Sequence, residues 1–258
     1  MPPTLFVSHG APDLALEAGP AHDFLRAFGR KLPRPKAVLA VSAHWETDRP
    51  TVGTSARPET IHDYHGFPQP LYNLLYPAPG APEMAERAAG LLEAAGIACA
   101  RDPARGLDHG AWVPLILMWP EADVPVAQLS ISPGRGPQAH LALGRALAPL
   151  REEDVLVIGT GGVVHNLGRL DWSGAAPAEE WALAFDAWVA EMVAAGRADD
   201  LADFRRQAPH ADLAQPSDEH FLPLLVAMGA AGPGAVGRRL HASYTYGNLA
   251  MTVFAFGE

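Results

Sequence analysis

Histidine is the residue of this chain with the clearest potential for chemistry, and eleven occur among its 258 residues. Three of them, His9, His44 and His165, stand at or just beyond the ends of short apolar runs, near glycine or serine. Neutral imidazoles are the usual nitrogen ligands of zinc and iron, and histidine also transfers protons near neutral pH. Taken singly, each of these residues could be an ordinary turn histidine. Taken together, they predict a metal site with acid–base chemistry.

Two further positions carry similar potential. His109 follows Asp108 at the start of an apolar run, where the aspartate could equally be a plain helix cap. Glu219 and His220 place a carboxylate beside an imidazole at a predicted helix start. Adjacent side chains on a helix point about 100° apart, so we expect only one of this pair to face a site, and the residues alone do not choose between them. The histidines interpreted as surface or core residues are His22, His140, His210 and His241.

Composition and motifs exclude several other chemistries. The glycine-rich segment 159–162 lacks the lysine and the spacing of a phosphate-binding loop. The G-x-S-x-G and H-E-x-x-H motifs of serine hydrolases and zinc proteases do not occur. Cys99 is the only cysteine, which rules out an internal disulfide and a thiolate metal cluster and suits a reducing compartment. A net charge of −10 argues against a nucleic-acid partner.

The first residues of the chain resemble neither a leader nor a membrane anchor. Residues 1–4 contain no basic side chain, and the apolar run that follows covers only residues 5–7. We therefore expect no signal peptide, no transmembrane span and no membrane partner, and we predict a cytoplasmic location.

Apolar patterning predicts the elements that would position these histidines. The predicted strands are 5–8, 37–42, 97–100, 124–131, 155–158 and 249–256, and the predicted helices are 20–32, 82–95, 109–118, 140–150, 178–195 and one that starts at 217–219. Continuously apolar strands alternating with helices are typical of a mostly parallel sheet covered on both faces. We predict one α/β domain over residues 1–258. In such sheets, sites form beyond the carboxyl ends of the strands. The long loop 56–80 is also expected to be functional.

The order of short motifs along the chain resembles a known enzyme family. The motifs are Ser8-His9-Gly10, Ser42-Ala43-His44-Trp45, Thr60-Ile61-His62-Asp63, Tyr76-Pro77-Ala78-Pro79-Gly80, Leu107-Asp108-His109-Gly110, Val126-Ala127-Gln128-Leu129-Ser130-Ile131, Gly161-Gly162-Val163-Val164-His165-Asn166 and Glu219-His220-Phe221-Leu222-Pro223. In this order they resemble the DODA-type extradiol ring-cleavage dioxygenases, a branch of the class III extradiol superfamily. The resemblance covers nearly the whole chain, and the combination is specific although no single motif is.

The resemblance implies roles for individual residues. His9, His44 and His220 match metal-site positions, and His165 matches a position that is either a further ligand or the catalytic base. His109 matches the second active-site histidine, which would donate a proton. In the wider superfamily the third ligand is a carboxylate, so Glu219 stays open as an alternative to the favoured His220. The loop residues expected to cover the substrate ring are His62, Tyr64, His65 and Phe67.

The implied reaction is the extradiol cleavage of a catechol that carries a side chain, with both atoms of O₂ entering the product. The implied cofactor is one divalent metal ion, Fe(II) in the active dioxygenase, and Zn(II) is plausible in purified protein. Two alternatives use the same histidines. One is a zinc-dependent hydrolase, and the other is a non-catalytic binding protein of the Memo type, which shares the superfamily fold.

Overall fold

The buried apolar runs of the chain form the strands of a central sheet. The computed structural model describes residues 1–174 and 176–257. The strands are β1 (Thr4–Ser8), β2 (Ala37–Glu46), β3 (Thr51–Gly53), β4 (Ala100–Asp102), β5 (Val126–Ile131), β6 (Val155–Gly161), β7 (Gly237–His241), β8 (Tyr244–Thr245), β9 (Leu249–Ala250) and β10 (Val253–Phe256). In this described part of the chain, eight strands make one sheet in the order β4-β3-β5-β2-β6-β1-β10-β7, and β8 pairs with β9 separately.

The four central strands, β5, β2, β6 and β1, are parallel to one another. Their carboxyl ends therefore meet along one edge, which is where an α/β sheet builds a site. The flanks are antiparallel, since β3 pairs with β5 and β10 pairs with both β1 and β7 in that sense. The prediction of a mostly parallel α/β sheet in one domain is confirmed.

Helices cover both faces of the sheet because successive strand side chains point to opposite sides. The helices are α1 (Pro20–Lys31), α2 (Gln69–Tyr72), α3 (Pro82–Ala94), α4 (His109–Met118), α5 (Gly136–Leu147), α6 (Glu180–Ala194), α7 (Ala198–Ala202), α8 (Phe204–Gln207), α9 (Ala211–Ala214) and α10 (Leu222–Ala230). Phe6, Leu39 and Val157 lie in the core with α3, α5, α6 and α10, whereas Val38 and Ile158 lie in the core with α1 and α4.

Several predicted boundaries need correction. The strand predicted at 97–100 lies instead at β4, because Ala100 to Asp102 pair with β3. The run 249–256 is divided into β9 and β10. The division falls at Met251 and Thr252, where the chain passes from one sheet to the other: the Met251 N–H donates to the carbonyl of Ser243 at 2.8 Å, next to the β8–β9 pair, and the carbonyl of Thr252 accepts the N–H of Ser8 in β1 at 3.0 Å.

Three further elements differ from the prediction. Helix α5 begins at Gly136, four residues early, and ends at Leu147, where a 3-10 turn takes over. Helix α10 begins at Leu222 rather than at 217–219, and a turn precedes it. Strand β7 could not be predicted from the sequence because it has no apolar alternation. Its arginines lie at an edge of the sheet, and the strand is defined by its pairing with β10.

Candidate metal centre

His9 lies directly after β1, where the prediction placed it. Its backbone N–H donates to the carbonyl of Gly161 at 3.1 Å, which joins the ends of β1 and β6. Gly10 then adopts a φ of +61°, in the left-handed region that favours glycine, so the chain turns sharply after the histidine. The His9 side chain is buried, at 1% exposure. The sharp turn therefore directs the imidazole inward.

His44 is placed by a strand rather than by a loop. The prediction ended this strand at Ser42, but β2 continues to Glu46 because its pairing with β5 shifts register between Val41 and Glu46. Gly110, in the first turn of α4, allows the imidazole to sit there. A Cβ at that position would lie 3.0 Å from Cδ2 of His44 and 2.4 Å from Oγ of Ser42.

His220 is held by main-chain contacts in the turn before α10. Its carbonyl accepts the N–H of Gly162 at 2.9 Å. A Cβ on Gly161 would lie only 2.1 Å from that carbonyl oxygen, so this close approach requires glycine. Nδ1 of His220 lies 3.1 Å from Oε1 of Glu219. Because Glu219 and His220 lie in a turn, their side chains can contact each other. The carboxylate accepts from Nδ1 of the imidazole, and Nε2 remains available to a metal ion.

The donor set of His9, His44 and His220 fits one metal ion. Their ligand atoms lie within 4.8 Å of one another. The Nε2 atoms of His9 and His44 are 3.0 Å apart, and Nε2 of His220 is buried without a hydrogen-bond partner among the described residues. Two nitrogens bound to one ion at about 2.1 Å and about a right angle would be about 3.0 Å apart. An ion bound by these three nitrogens would provide a partner for Nε2 of His220.

Burial keeps these imidazoles in the form that binds metals. It lowers the pKa of His9 and of His220 well below 6.5, and neighbouring imidazoles add to the effect. Burial, reinforced by His109, lowers the pKa of His44 to about 3. All three residues are therefore neutral at pH 7, as nitrogen ligands must be.

His165 lies beside this trio but outside it. Its ring stacks on that of His220, with centroids 3.3 Å apart and an angle of 8° between the planes. A ring nitrogen of His165 lies within 4.8 Å of potential ligand atoms of Glu219 and His220, in a set separate from the one that includes His9 and His44. Burial lowers the pKa of His165 to about 4, although Glu219 opposes the shift. The His165 N–H donates to the carbonyl of Ala214 at 2.9 Å, which fixes the backbone of its loop.

His109 opens α4 on the other side of the trio. Its ring centroid lies 4.0 Å from that of His44 and 5.3 Å from that of His9. Asp63 contacts it twice: Oδ1 accepts the backbone N–H at 2.9 Å and lies 3.0 Å from Nδ1. Asp63 belongs to one of the sequence motifs, but no role could be predicted for it from the sequence. A carboxylate in a loop has no periodicity that indicates its partner.

The four loop residues predicted to cover a substrate differ in how close they lie to the histidines of the site. Tyr64 packs edge-on against His109 at 5.6 Å, and Phe67 packs against Tyr64 at 5.5 Å. His62 lies behind Tyr64, with Nε2 2.9 Å from the carbonyl of Leu74. His65 is exposed, and within the described residues no ring contact joins it to the others.

A buried polar network supports the site from below. Asp108, fully buried at the start of α4, accepts from Oγ of Ser42 at 2.7 Å and from Arg105 at 2.6 Å, and the Gln128 amide contacts the same carboxylate. Oγ of Ser42 in turn accepts the N–H of His44 at 3.2 Å. The cap reading of Asp108 is also confirmed, since its side chain accepts the N–H of Ala111. This network fixes β2 against the start of α4.

Comparison with known proteins assigns this arrangement to a class. The chain belongs to the LigB family, described as the catalytic LigB subunit of aromatic ring-opening dioxygenase, and the family model matches residues 3–255. The resemblance seen in the sequence and the oxidoreductase class that it implied are thereby confirmed.

Relatives narrow the comparison. The chain is 44% identical to a 4,5-DOPA dioxygenase extradiol of Beta vulgaris, over 98% of this chain and 96% of that protein. It is 40% identical to a 4,5-DOPA dioxygenase extradiol of Escherichia coli strain K12, over 88% of this chain and 84% of that protein. The crystal structure of an uncharacterized protein from Escherichia coli K12 matches with a TM-score of 0.83 and 32% identity, over 99% of each chain.

The helices also bear on the membrane prediction. Across residues 1–174 and 176–257, no helix has both the length and the apolar character that crossing a bilayer requires.

Proposed function

We propose that this protein is an extradiol dioxygenase that cleaves a DOPA-like catechol, a ring bearing a side chain, at one non-haem Fe(II) ion held by His9, His44 and His220. The observation that carries the proposal is the trio of imidazoles, in which Nε2 of His220 is buried and has no hydrogen-bond partner in the part of the chain that the structure describes. The relatives named as 4,5-DOPA dioxygenases support the substrate class. Residues 1–258 would form a single catalytic domain of this type.

The ion, when bound, supplies open coordination positions and redox capacity for a catechol and O₂. The chain supplies the proton transfers on either side of it. We assign His165 as the base that takes a proton from a catechol hydroxyl. Its imidazole is neutral at pH 7 because burial lowers the pKa, and the nearby Glu219 favours the protonated form once the proton arrives.

His109 is assigned as the proton donor on the opposite side of the trio. Nδ1 of His109 faces Asp63 at 3.0 Å, which leaves Nε2 as the nitrogen available to substrate and oxygen. The ring of Tyr64 lies against His109, and Phe67 lies behind Tyr64, so these two side chains would form an apolar wall for the aromatic ring. We do not extend this role to His65, which is exposed.

The metal decides the activity. Three or four imidazoles also suit tetrahedral zinc, which has no redox chemistry. We therefore expect purified protein that carries Zn(II) to bind a catechol without consuming O₂, and we expect Fe(II) to restore turnover.

The experiment is anaerobic reconstitution of metal-stripped protein with Fe(II), followed by a panel of catechols and O₂. The expected result is one O₂ consumed per catechol and a yellow ring-opened semialdehyde, with none formed by a matched Zn(II) sample. Absence of O₂ uptake with every catechol in the panel would contradict the proposal. Hydrolysis of an ester by the Zn(II) form would favour the hydrolase instead.

A further inference from the structure

One carboxylate lies between two histidines of the site. Asp63 places Oδ1 3.0 Å from Nδ1 of His109 and Oδ2 3.5 Å from Nδ1 of His44. Oδ1 also accepts the backbone N–H of His109 at 2.9 Å. Nδ1 of His109 is buried, and in this ring orientation it makes no hydrogen bond with any described residue. The same side chain thus contacts a proposed metal ligand and the proposed proton donor.

These contacts determine which nitrogen of each ring carries the proton. An ionised carboxylate only accepts hydrogen bonds, so its position beside each ring favours the tautomer with the proton on Nδ1. Nε2 of His44 then keeps its lone pair, and this atom lies 3.0 Å from Nε2 of His9. Aspartate carboxylates ordinarily ionise at about pH 4, so Asp63 is treated as a charged acceptor at neutral pH.

Neighbouring contacts fix the position of Asp63 in the 56–80 loop. On one side, the carbonyl of Ile61 accepts the N–H of the Trp112 indole at 3.0 Å. On the other side, the hydroxyl of Tyr64 donates to the carbonyl of Leu71 at 3.1 Å. The carboxylate is therefore held in place by residues that do not themselves bind a metal.

We propose that Asp63 is a positioning residue that sets the tautomer and orientation of both His44 and His109. The inference rests on the proposed function for the role of His109, whereas its effect on His44 concerns metal binding alone. Ordered carboxylate partners of metal-bound histidines act in this way, and their loss lowers metal affinity by about 10-fold to 100-fold.

The asparagine substitution provides the sharpest test because its effects on the two histidines differ. In Asp63→Asn, the backbone N–H of His109 keeps the amide oxygen at the Oδ1 position, so Nδ1 of His109 still has an acceptor. The amide NH₂ then faces Nδ1 of His44. A donor there favours the tautomer that protonates Nε2, and a protonated Nε2 cannot bind a metal. Asp63→Ala removes both contacts and imposes no tautomer.

Two measurements should therefore rank the variants in opposite orders. Fe(II) affinity, measured anaerobically without substrate by competition with a chelator, should fall by about 10-fold or more in Asp63→Ala and further in Asp63→Asn. The kcat per bound iron should fall further in Asp63→Ala than in Asp63→Asn, with smaller changes in KM. Asp102→Asn is the matched control, since the carboxylate of Asp102 accepts only the backbone N–H groups of Ala104 and Arg105 among the described residues. It should bind Fe(II) like the wild type.

Other outcomes would overturn the inference. If Asp63→Asn were milder than Asp63→Ala in both measurements, Asp63 would merely fill space. Wild-type affinity in both variants would remove its role in metal binding. Two ions per wild-type chain and one in Asp63→Ala would make Asp63 a ligand of a second ion, since its oxygens and the two histidines could also hold one. If the wild type cleaved no catechol, the proposed function would fail while the affinity ranking still decided this inference.

Discussion

Gly110 offers a direct test of how the start of α4 supports the metal centre. The perturbation is Gly110→Ala, the addition of one methyl group in a buried first helical turn. The new Cβ would lie 2.4 Å from Oγ of Ser42 and 3.0 Å from Cδ2 of His44. Alanine is otherwise favoured over glycine within a helix by about 1 kcal/mol. The steric conflict therefore decides whether the substitution raises or lowers the free energy of unfolding.

The magnitude follows from what must move. To make room, Oγ of Ser42 must leave its hydrogen bonds with Asp108 and with the N–H of His44. Each bond contributes about 1 kcal/mol, and overpacking a core adds about 1–3 kcal/mol. After the helix preference is subtracted, we expect the free energy of unfolding to fall by about 2–4 kcal/mol. Displacement of the His44 ring by a few tenths of an ångström should also weaken metal binding by about 10-fold.

Urea denaturation of the metal-free protein and chelator competition with Fe(II) measure the two effects. The matched control is Gly90→Ala in α3, where a Cβ would meet no atom within 4 Å. That variant should gain up to about 1 kcal/mol and bind metal like the wild type. If Gly110→Ala behaved like Gly90→Ala in both assays, the close approach of α4 to His44 would not support the site as argued.

Three more predictions concern the same centre and its surroundings. His44→Ala should lose its metal and its activity together, whereas His109→Ala should keep the metal while kcat falls by about 10²-fold to 10⁴-fold; metal analysis of His165→Ala then distinguishes a base, which leaves the metal in place, from an essential ligand. Burial lowers the pKa of His44 to about 3 and of His165 to about 4 from 6.5, so between about pH 4 and 6.5 the unfolded chain binds protons that the folded chain does not. Stability of the metal-free protein should therefore fall as the pH drops through 6.5, by up to about 1.4 kcal/mol per pH unit for each such histidine, and urea midpoints that stay flat from pH 7.5 to 5 would contradict this. Asp186→Ala removes a buried carboxylate that accepts from Arg239, Tyr244 and Thr252, so it should destabilise the fold by about 3–5 kcal/mol in urea denaturation while metal affinity of the folded protein stays unchanged.

The sequence predicts those parts of the site that follow from the position of residues after parallel strands. His9 and His165 follow buried parallel strands, and the carboxyl ends of such strands meet at one edge. The choice between Glu219 and His220 could not be made from spacing, because it depends on a turn in place of the predicted helix start. That turn lets one side chain accept a hydrogen bond from the other.

Asp63 and strand β7 lay beyond sequence reasoning for a different physical reason. Each is defined by a partner distant in the chain: Asp63 by His109, and the Arg238–Arg239 segment by its pairing with β10. Neither has an apolar periodicity of its own that would indicate its place. Long-range pairing of polar segments leaves no local pattern to read.

The main-chain contact between Gly161 and His220 has a consequence for protein engineering. The proposed third ligand is located by backbone atoms, through the carbonyl of His220 against Gly161 and the N–H of Gly162. These contacts involve main-chain atoms of residue 220 and do not depend on its side chain. A carboxylate or an amide introduced at position 220 would therefore enter the cavity at the same point as the imidazole. A redesign can then change which metal the protein selects while leaving the surrounding backbone as it is.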